Sequence, residues 1–173
     1  GERIAISSEG TATADILNTG TITGAIQTGS LDDRLVNGSG GKWFALGASI
    51  FGDGNDSLTN AAGGLIDVVG GTIAMEDGND TITNHGTFRL TGGTVTMGAG
   101  TNAFTNVGIL KVLGTSAVDV GAAGTLTNIS SIDFIDGATD DKLTVTGTLA
   151  GAGVLNLDLN LLTSTVDQVV VTG

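Results

Sequence analysis

The segment whose residue types come closest to a metal site is Gly52-Asp53-Gly54-Asn55-Asp56-Ser57-Leu58. Calcium is held by carboxylate and carbonyl oxygens, and Gly-Gly-x-Gly-x-Asp-x-apolar turns supply them when they recur about every nine residues. Here Phe51 stands in place of the first glycine, and the related Asp77-Gly78-Asn79-Asp80 follows 24 residues later. In the next copy the acid has become Asn102. A lone calcium site would need stacking to bring Asp53, Asp56, Asp77 and Asp80 together. Otherwise the same residues read as turn chemistry, in which Asp and Gly fit a tight corner. No metal is expected as a constituent of the fold.

Catalytic chemistry finds little to work with. The single histidine, His85, follows Asn84, and no Gly-x-Ser-x-Gly elbow offers a nucleophile beside it. It reads as an exposed corner residue. Asp32-Asp33 and Asp140-Asp141 pair carboxylates as a polysaccharide-cleaving site would. Such sites lie in grooves lined by aromatic and basic residues, and aromatics make up only 3% of this chain. Solvated turn acids are the better reading, so the expectation is a chain that is not an enzyme and needs no cofactor. One segment breaks the pattern: Gly38-Ser39-Gly40-Gly41-Lys42-Trp43-Phe44 carries the only tryptophan. Adjacent residues of a strand face opposite sides, so one of Trp43 and Phe44 is expected outside, as a candidate binding contact.

Composition fixes the kind of element that must hold these residues. With thirty glycines and no proline, the sequence is dominated by Gly, Thr, Asn and β-branched aliphatics. Branched side chains suit a pleated, half-buried strand, whereas Gly and Asn suit tight corners. Apolar residues at 40% are too many for intrinsic disorder. No run approaches the roughly 18 apolar residues of a membrane-spanning helix. A net charge of −12 opposes binding to nucleic acid, which needs clustered Lys and Arg. Strong like charge also keeps a protein rich in strand edges from associating with itself.

The organisation is a repeat. Asn18, Asn37, Asn60, Asn84, Asn106 and Asn128 recur at separations of 19, 23, 24, 22 and 22 residues. An apolar residue precedes each by two positions: Ile16, Leu35, Leu58, Ile82, Phe104 and Leu126. Short strand-like runs fill the rest of each unit, as in Leu65-Ile66-Asp67-Val68 and Thr72-Ile73-Ala74-Met75. Three such strands per unit, each with one apolar face, cannot bury that face alone. Coiling solves the problem, because equivalent strands then stack about 4.8 Å apart around a shared core. The fold class expected is therefore all-β: a right-handed, single-stranded parallel β-helix with three short strands per coil of about 22–24 residues. Its asparagines would form a structural ladder along one corner. Residues 1–128 read as regular coils, and 129–173 as altered C-terminal coils or a cap of the same solenoid. In that tail the repeat reads as continuing through Asp141-Lys142-Leu143-Thr144-Val145 and Asp167-Gln168-Val169-Val170-Val171, with valine at the corner position. The longer spacing between them suggests a hairpin-like extension.

The threonine-asparagine corners, followed by Asp-Lys-Leu-Thr-Val-Thr-Gly-Thr-Leu-Ala-Gly-Ala-Gly-Val-Leu-Asn-Leu-Asp at 141–158 and Asp-Gln-Val-Val-Val-Thr-Gly at 167–173, resemble an autotransporter passenger of type V secretion. The likeness is to its C-terminal β-helix, next to the outer-membrane barrel. It implies a segment of a longer chain, displayed on the extracellular side of the outer membrane or secreted, and tethered by a barrel absent from this sequence. It further implies an adhesin that meets a host extracellular-matrix or cell-surface molecule. A purely structural stalk, which also nucleates passenger folding, and a calcium-binding β-roll module are the alternatives.

Overall fold

The structure is a computed structural model that describes residues 3–8 and 10–173. Short β-strands make up the regular structure, and no helix occurs among the described residues. Numbered in chain order, the strands fall on three parallel sheets, and successive coils add one strand to each. Sheet A stacks β1 (Ile4–Ser7), β4 (Ala25–Gln27), β7 (Ala48–Ile50), β10 (Thr72–Ala74), β13 (Thr94–Thr96), β16 (Thr115–Asp119), β19 (Lys142–Thr146) and β24 (Gln168–Thr172). Sheet B stacks β2 (Asp15–Asn18), β5 (Arg34–Asn37), β8 (Ser57–Asn60), β11 (Thr81–Asn84), β14 (Ala103–Asn106), β17 (Thr125–Asn128) and β20 (Thr148–Ala150). Sheet C stacks β3 (Thr21–Thr23), β6 (Lys42–Ala45), β9 (Leu65–Val69), β12 (Thr87–Thr91), β15 (Ile109–Leu113), β18 (Ser131–Asp133) and β21 (Val154–Asn156). The molecule is a β-solenoid of about seven turns with three strands per coil.

Alternation along each strand builds the core. On sheet B, Leu35, Leu58, Ile82, Phe104 and Leu126 lie in register and are buried, while Ser57, Thr81 and Ala103 beside them face outward. Sheet C contributes Trp43, Ile66, Phe88, Leu110 and Ile132 in the same manner, and sheet A contributes Ile73, Val95, Val118 and Val145. These columns are filled by aliphatic and aromatic groups of mixed size, as where Trp43, Ile66, Phe88, Leu110 and Ile132 follow one another on sheet C. The larger rings interlock: Phe88 and Phe104 pack at 5.4 Å with a tilt of 58°.

Two sequence expectations need correction. Trp43 is enclosed, with no exposed surface; its indole N–H donates to the Gly24 carbonyl at 3.0 Å and its ring meets Phe51 edge-on at 6.5 Å. Its apolar ring belongs to the inward column of sheet C, and its polar atom finds a partner there. Trp43 is therefore no contact residue, and Phe44, half-buried on the outer face, is the member of the pair that solvent reaches.

The second correction concerns the C-terminal register. Lys142–Thr146 pairs with Thr115–Asp119 on one side and with Gln168–Thr172 on the other, all on sheet A, so neither segment continues the asparagine-bearing strand. Val145 points into the core rather than to the corner. Sheet B continues instead through Thr148–Ala150, and Gly151 then takes the place opposite Asn128. At that position φ is +109°, and a Cβ would lie 2.0 Å from the Asn128 carbonyl oxygen, so no side chain can extend the column there. An antiparallel hairpin, β22 (Leu159–Asn160) with β23 (Thr165–Val166), is inserted into the last coil, and its tip exposes Leu161 and Leu162.

Replacing Trp43 by alanine removes a fully buried ring and leaves the Gly24 carbonyl unpaired. The expected loss is about 3–5 kcal/mol, read as a lower urea midpoint with unchanged slope.

Candidate functional site

Each coil turns three corners, and the polar side chains of the repeat are concentrated at two of them. The corner from sheet B to sheet C carries the asparagines. Asn18 donates its side-chain N–H to the Asn37 Oδ1 at 2.7 Å, Asn37 to Asn60 at 2.8 Å, and Asn60 to Asn84 at 2.8 Å. Asn84 then donates to Asn106 at 2.8 Å and Asn106 to Asn128 at 2.9 Å. The same amide nitrogens reach the carbonyls of Lys42, Leu65, Thr87, Ile109, Ser131 and Val154, which open the sheet C strands of the following coil. All six amides are buried. Asparagine is suited to this place because one side chain both accepts and donates, so an identical neighbour is always its complement.

The corner from sheet A to sheet B carries acids. Asp33, Asp56, Asp80 and Asn102 immediately precede β5, β8, β11 and β14, and all four are buried. Each accepts on Oδ1 the backbone N–H of the equivalent residue one coil earlier. The bonds run from Ala14 to Asp33 at 2.5 Å, Asp33 to Asp56 at 2.7 Å, Asp56 to Asp80 at 2.9 Å and Asp80 to Asn102 at 2.9 Å. Sequence reading placed Asp56 and Asp80 in a turn but did not separate them from Asp53 and Asp77, which are exposed on the same corner. The signal was present: Asp33, Asp56, Asp80 and Asn102 all stand two residues before the inward residue of sheet B. The four calcium candidates thus divide into two that face solvent and two whose Oδ1 atoms hold the preceding coil's backbone. Among the described residues no group of three or more acid, His or Cys side chains is placed to hold a metal ion.

Outside, sheet C carries a charged column at one register position: Asp67, Arg89, Lys111 and Asp133. Arg89 bonds Asp67 at 2.5 Å and Lys111 bonds Asp133 at 3.3 Å. The Asp67 carboxylate raises the Arg89 guanidinium above its ordinary value, against the opposing effect of partial burial.

Beside the asparagine corner runs a shallow trough of about 430 Å³, floored by Gly63, Gly64, Gly86 and Gly108. Its floor is glycine because coils approach closely there: a Cβ on Gly86 would meet the Gly64 carbonyl oxygen at 2.3 Å, and one on Gly108 the Gly86 oxygen at 2.2 Å. Exposed His85, Val107 and Ile129 succeed one another along the corner, each donating its backbone N–H to the asparagine carbonyl one coil earlier. Ile109 adds a further exposed apolar side chain. Asp32-Asp33 and Asp140-Asp141 each split in the same way, one exposed and one buried, so neither pair presents both carboxylates to a substrate.

The fold defines the class as a parallel β-solenoid. Compared with protein-family models, curated proteins and solved structures, the chain matches none.

Asn84 tests the ladder. Replacement by alanine removes the acceptor of Asn60 and the donor to Asn106 and Ile109, at an expected cost of about 1–3 kcal/mol per buried group left unpaired. Asn84→Asp keeps the acceptor but loses the donor, so it should also lower the thermal midpoint at neutral pH, as calorimetry would show.

Proposed function

We propose that this chain is a non-enzymatic scaffold segment of a bacterial surface protein of the autotransporter-passenger type, acting as a stalk on the extracellular side of the outer membrane. The observation that carries this reading is the use of its buried polar side chains. The asparagines and acids with chemical capability are bonded to the backbone or amides of adjacent coils. Such bonding makes each coil the template for the next, which suits a rod built to hold its length. The absence of cysteine agrees with export through a narrow pore, which a disulfide-closed loop would obstruct. The acidic surface keeps neighbouring rods apart.

A second reading, attachment to a host matrix or cell-surface molecule, is favoured by the trough. There Ile109 exposes 42% of its surface beside the glycine floor, and Val107 and Ile129, exposed by 39% and 55%, adjoin the lining residues Gly108 and Ser130 in the chain. An extended glycan or peptide would find a strip of apolar contact there.

Binding of the folded chain to immobilised matrix proteins and to host cells separates the readings. The stalk predicts no saturable binding. Saturable binding that is lost in Val107→Asp/Ile129→Asp, at an unchanged thermal midpoint, would replace it with the attachment reading.

A further inference from the structure

Four equivalent residues of the sheet A to sheet B corner show three arrangements of their second polar atom. Asp33 accepts on both oxygens, taking the Gly29 N–H on Oδ2 at 3.2 Å besides the bond on Oδ1. Asn102 instead donates with the equivalent atom. Its Nδ2 reaches the carbonyls of Met97 at 2.6 Å, Gly98 at 3.2 Å and Val120 at 3.2 Å. Between them in the stack lie Asp56 and Asp80, exposed by 1% and 0%, whose Oδ2 atoms are fully buried and have no hydrogen-bond donor.

Register explains what those oxygens face. Asp80 stands to Met75 and Glu76 as Asn102 stands to Met97 and Gly98, 22 residues further on. The backbone repeats as well, since φ is +63° at Glu76 and +60° at Gly98. The place of a donating amide nitrogen, among backbone carbonyls, is therefore taken by a carboxyl oxygen. An ionised carboxylate there would oppose lone pair to lone pair, whereas a protonated one reproduces the asparagine bond.

We propose that Asp56 and Asp80 are neutral carboxylic acids in the folded solenoid, each donating its proton from Oδ2 to the carbonyls of its own corner, and that their ionisation loosens this corner. The charged surroundings favour the neutral form. Asp32 and Asp33 lie in the coil before Asp56, and Asp53 shares its corner. Glu76 and Asp77 share the corner of Asp80. Among the described residues, the one base on β4, β5, β7, β8, β10, β11, β13 and β14, the strands around Asp56 and Asp80, is Arg34, and Asp15 binds it on the outer face at 2.8 Å. His85 sits beyond the opposite end of β11. Burial, with the charges of Asp80, Asp33 and Asp32, pushes Asp56 up to about 7 against the bond from the Asp33 amide. Burial and Asp77 push Asp80 up to about 6 against the bond from the Asp56 amide.

The sign of the consequence follows from linkage. Both folded values lie above the ordinary carboxyl value of 3.8, so between that pH and about 7 the folded chain binds more protons than the unfolded one. The stabilisation is complete below the ordinary value and is lost as pH rises through 6 to 7. Asp141, raised mainly by burial, acts in the same direction. Asp158, held low by the amides of Gly137 and Asp136, acts oppositely and only in stronger acid. This device is independent of the stalk and attachment readings, and it leaves the solenoid firmest under mildly acidic conditions.

The test is thermal unfolding from pH 4.5 to pH 8.5 of wild type, Asp56→Asn/Asp80→Asn and the exposed control Asp53→Asn. Each is measured with a chelator and with millimolar calcium, alongside carboxyl carbon NMR titration of the wild type. The wild-type and control midpoints should fall by several degrees with rising pH. The double variant should lose most of that slope and exceed wild type at pH 8.5. Two aspartate carboxyls should titrate near pH 6 to 7, and calcium should leave all midpoints unchanged. A wild-type midpoint that is flat or rises with pH would overturn the proposal. So would a double variant less stable than wild type at pH 8.5, or wild-type carboxyls that all titrate below pH 5. Stabilisation of the wild type by calcium that the double variant loses would assign these oxygens to a cation instead.

Discussion

Everything in this molecule depends on satisfying the backbone at its corners. A flat strand pairs its amides and carbonyls with its neighbours, but a chain that turns sharply three times in each coil leaves polar groups at each turn. Those groups are buried by the next coil, where water cannot serve them. Asn18 to Asn128 meet this demand at one corner, and Asp33 to Asn102 meet it at another. Because the coils repeat, a side chain that completes one corner must also fit against its own copy.

That self-complementarity separates the two ladders. An amide carries a donor and an acceptor, so asparagine can stack on asparagine without limit. A carboxylate carries acceptors alone, and a stack of them is consistent only where backbone N–H groups supply the donors or a proton is retained. The acid ladder is short, and it gives way to Asn102 and then to glycine at position 124. The asparagine ladder runs through six coils and stops only where Gly151 brings the chain too close to the Asn128 carbonyl for any side chain.

The core follows a looser rule, apolar on apolar. Inward columns repeat apolar residues of varied size, so packing is settled between neighbouring coils without requiring a unique arrangement of distant parts. Stability is then shared among neighbouring coils. The surface is left free to vary: threonine predominates on the outer face of sheet B, two acid–base pairs lie on sheet C, and apolar side chains are exposed along the glycine trough. Function in such a molecule resides in these outer features, which the stacking holds at a fixed spacing of about 4.8 Å.

The sequence by itself determined the architecture. Asparagines at a near-constant period, each two residues after an apolar one, force coils of one size, and strand alternation then decides which side chains face inward. The sequence could not reveal whether Trp43 or Phe44 took the inward place, because either ring satisfies alternation until the register with Ile66 is known. Nor could it show that Lys142–Thr146 belongs to sheet A, since Asp-Lys-Leu resembles the entry to an asparagine-bearing strand and only pairing with Thr115–Asp119 distinguishes them. The division of Asp53 and Asp77 from Asp56 and Asp80 was also decided in three dimensions. Residue type is the same in all four; what differs is whether the next coil covers the carboxyl, and that is a property of stacking rather than of composition.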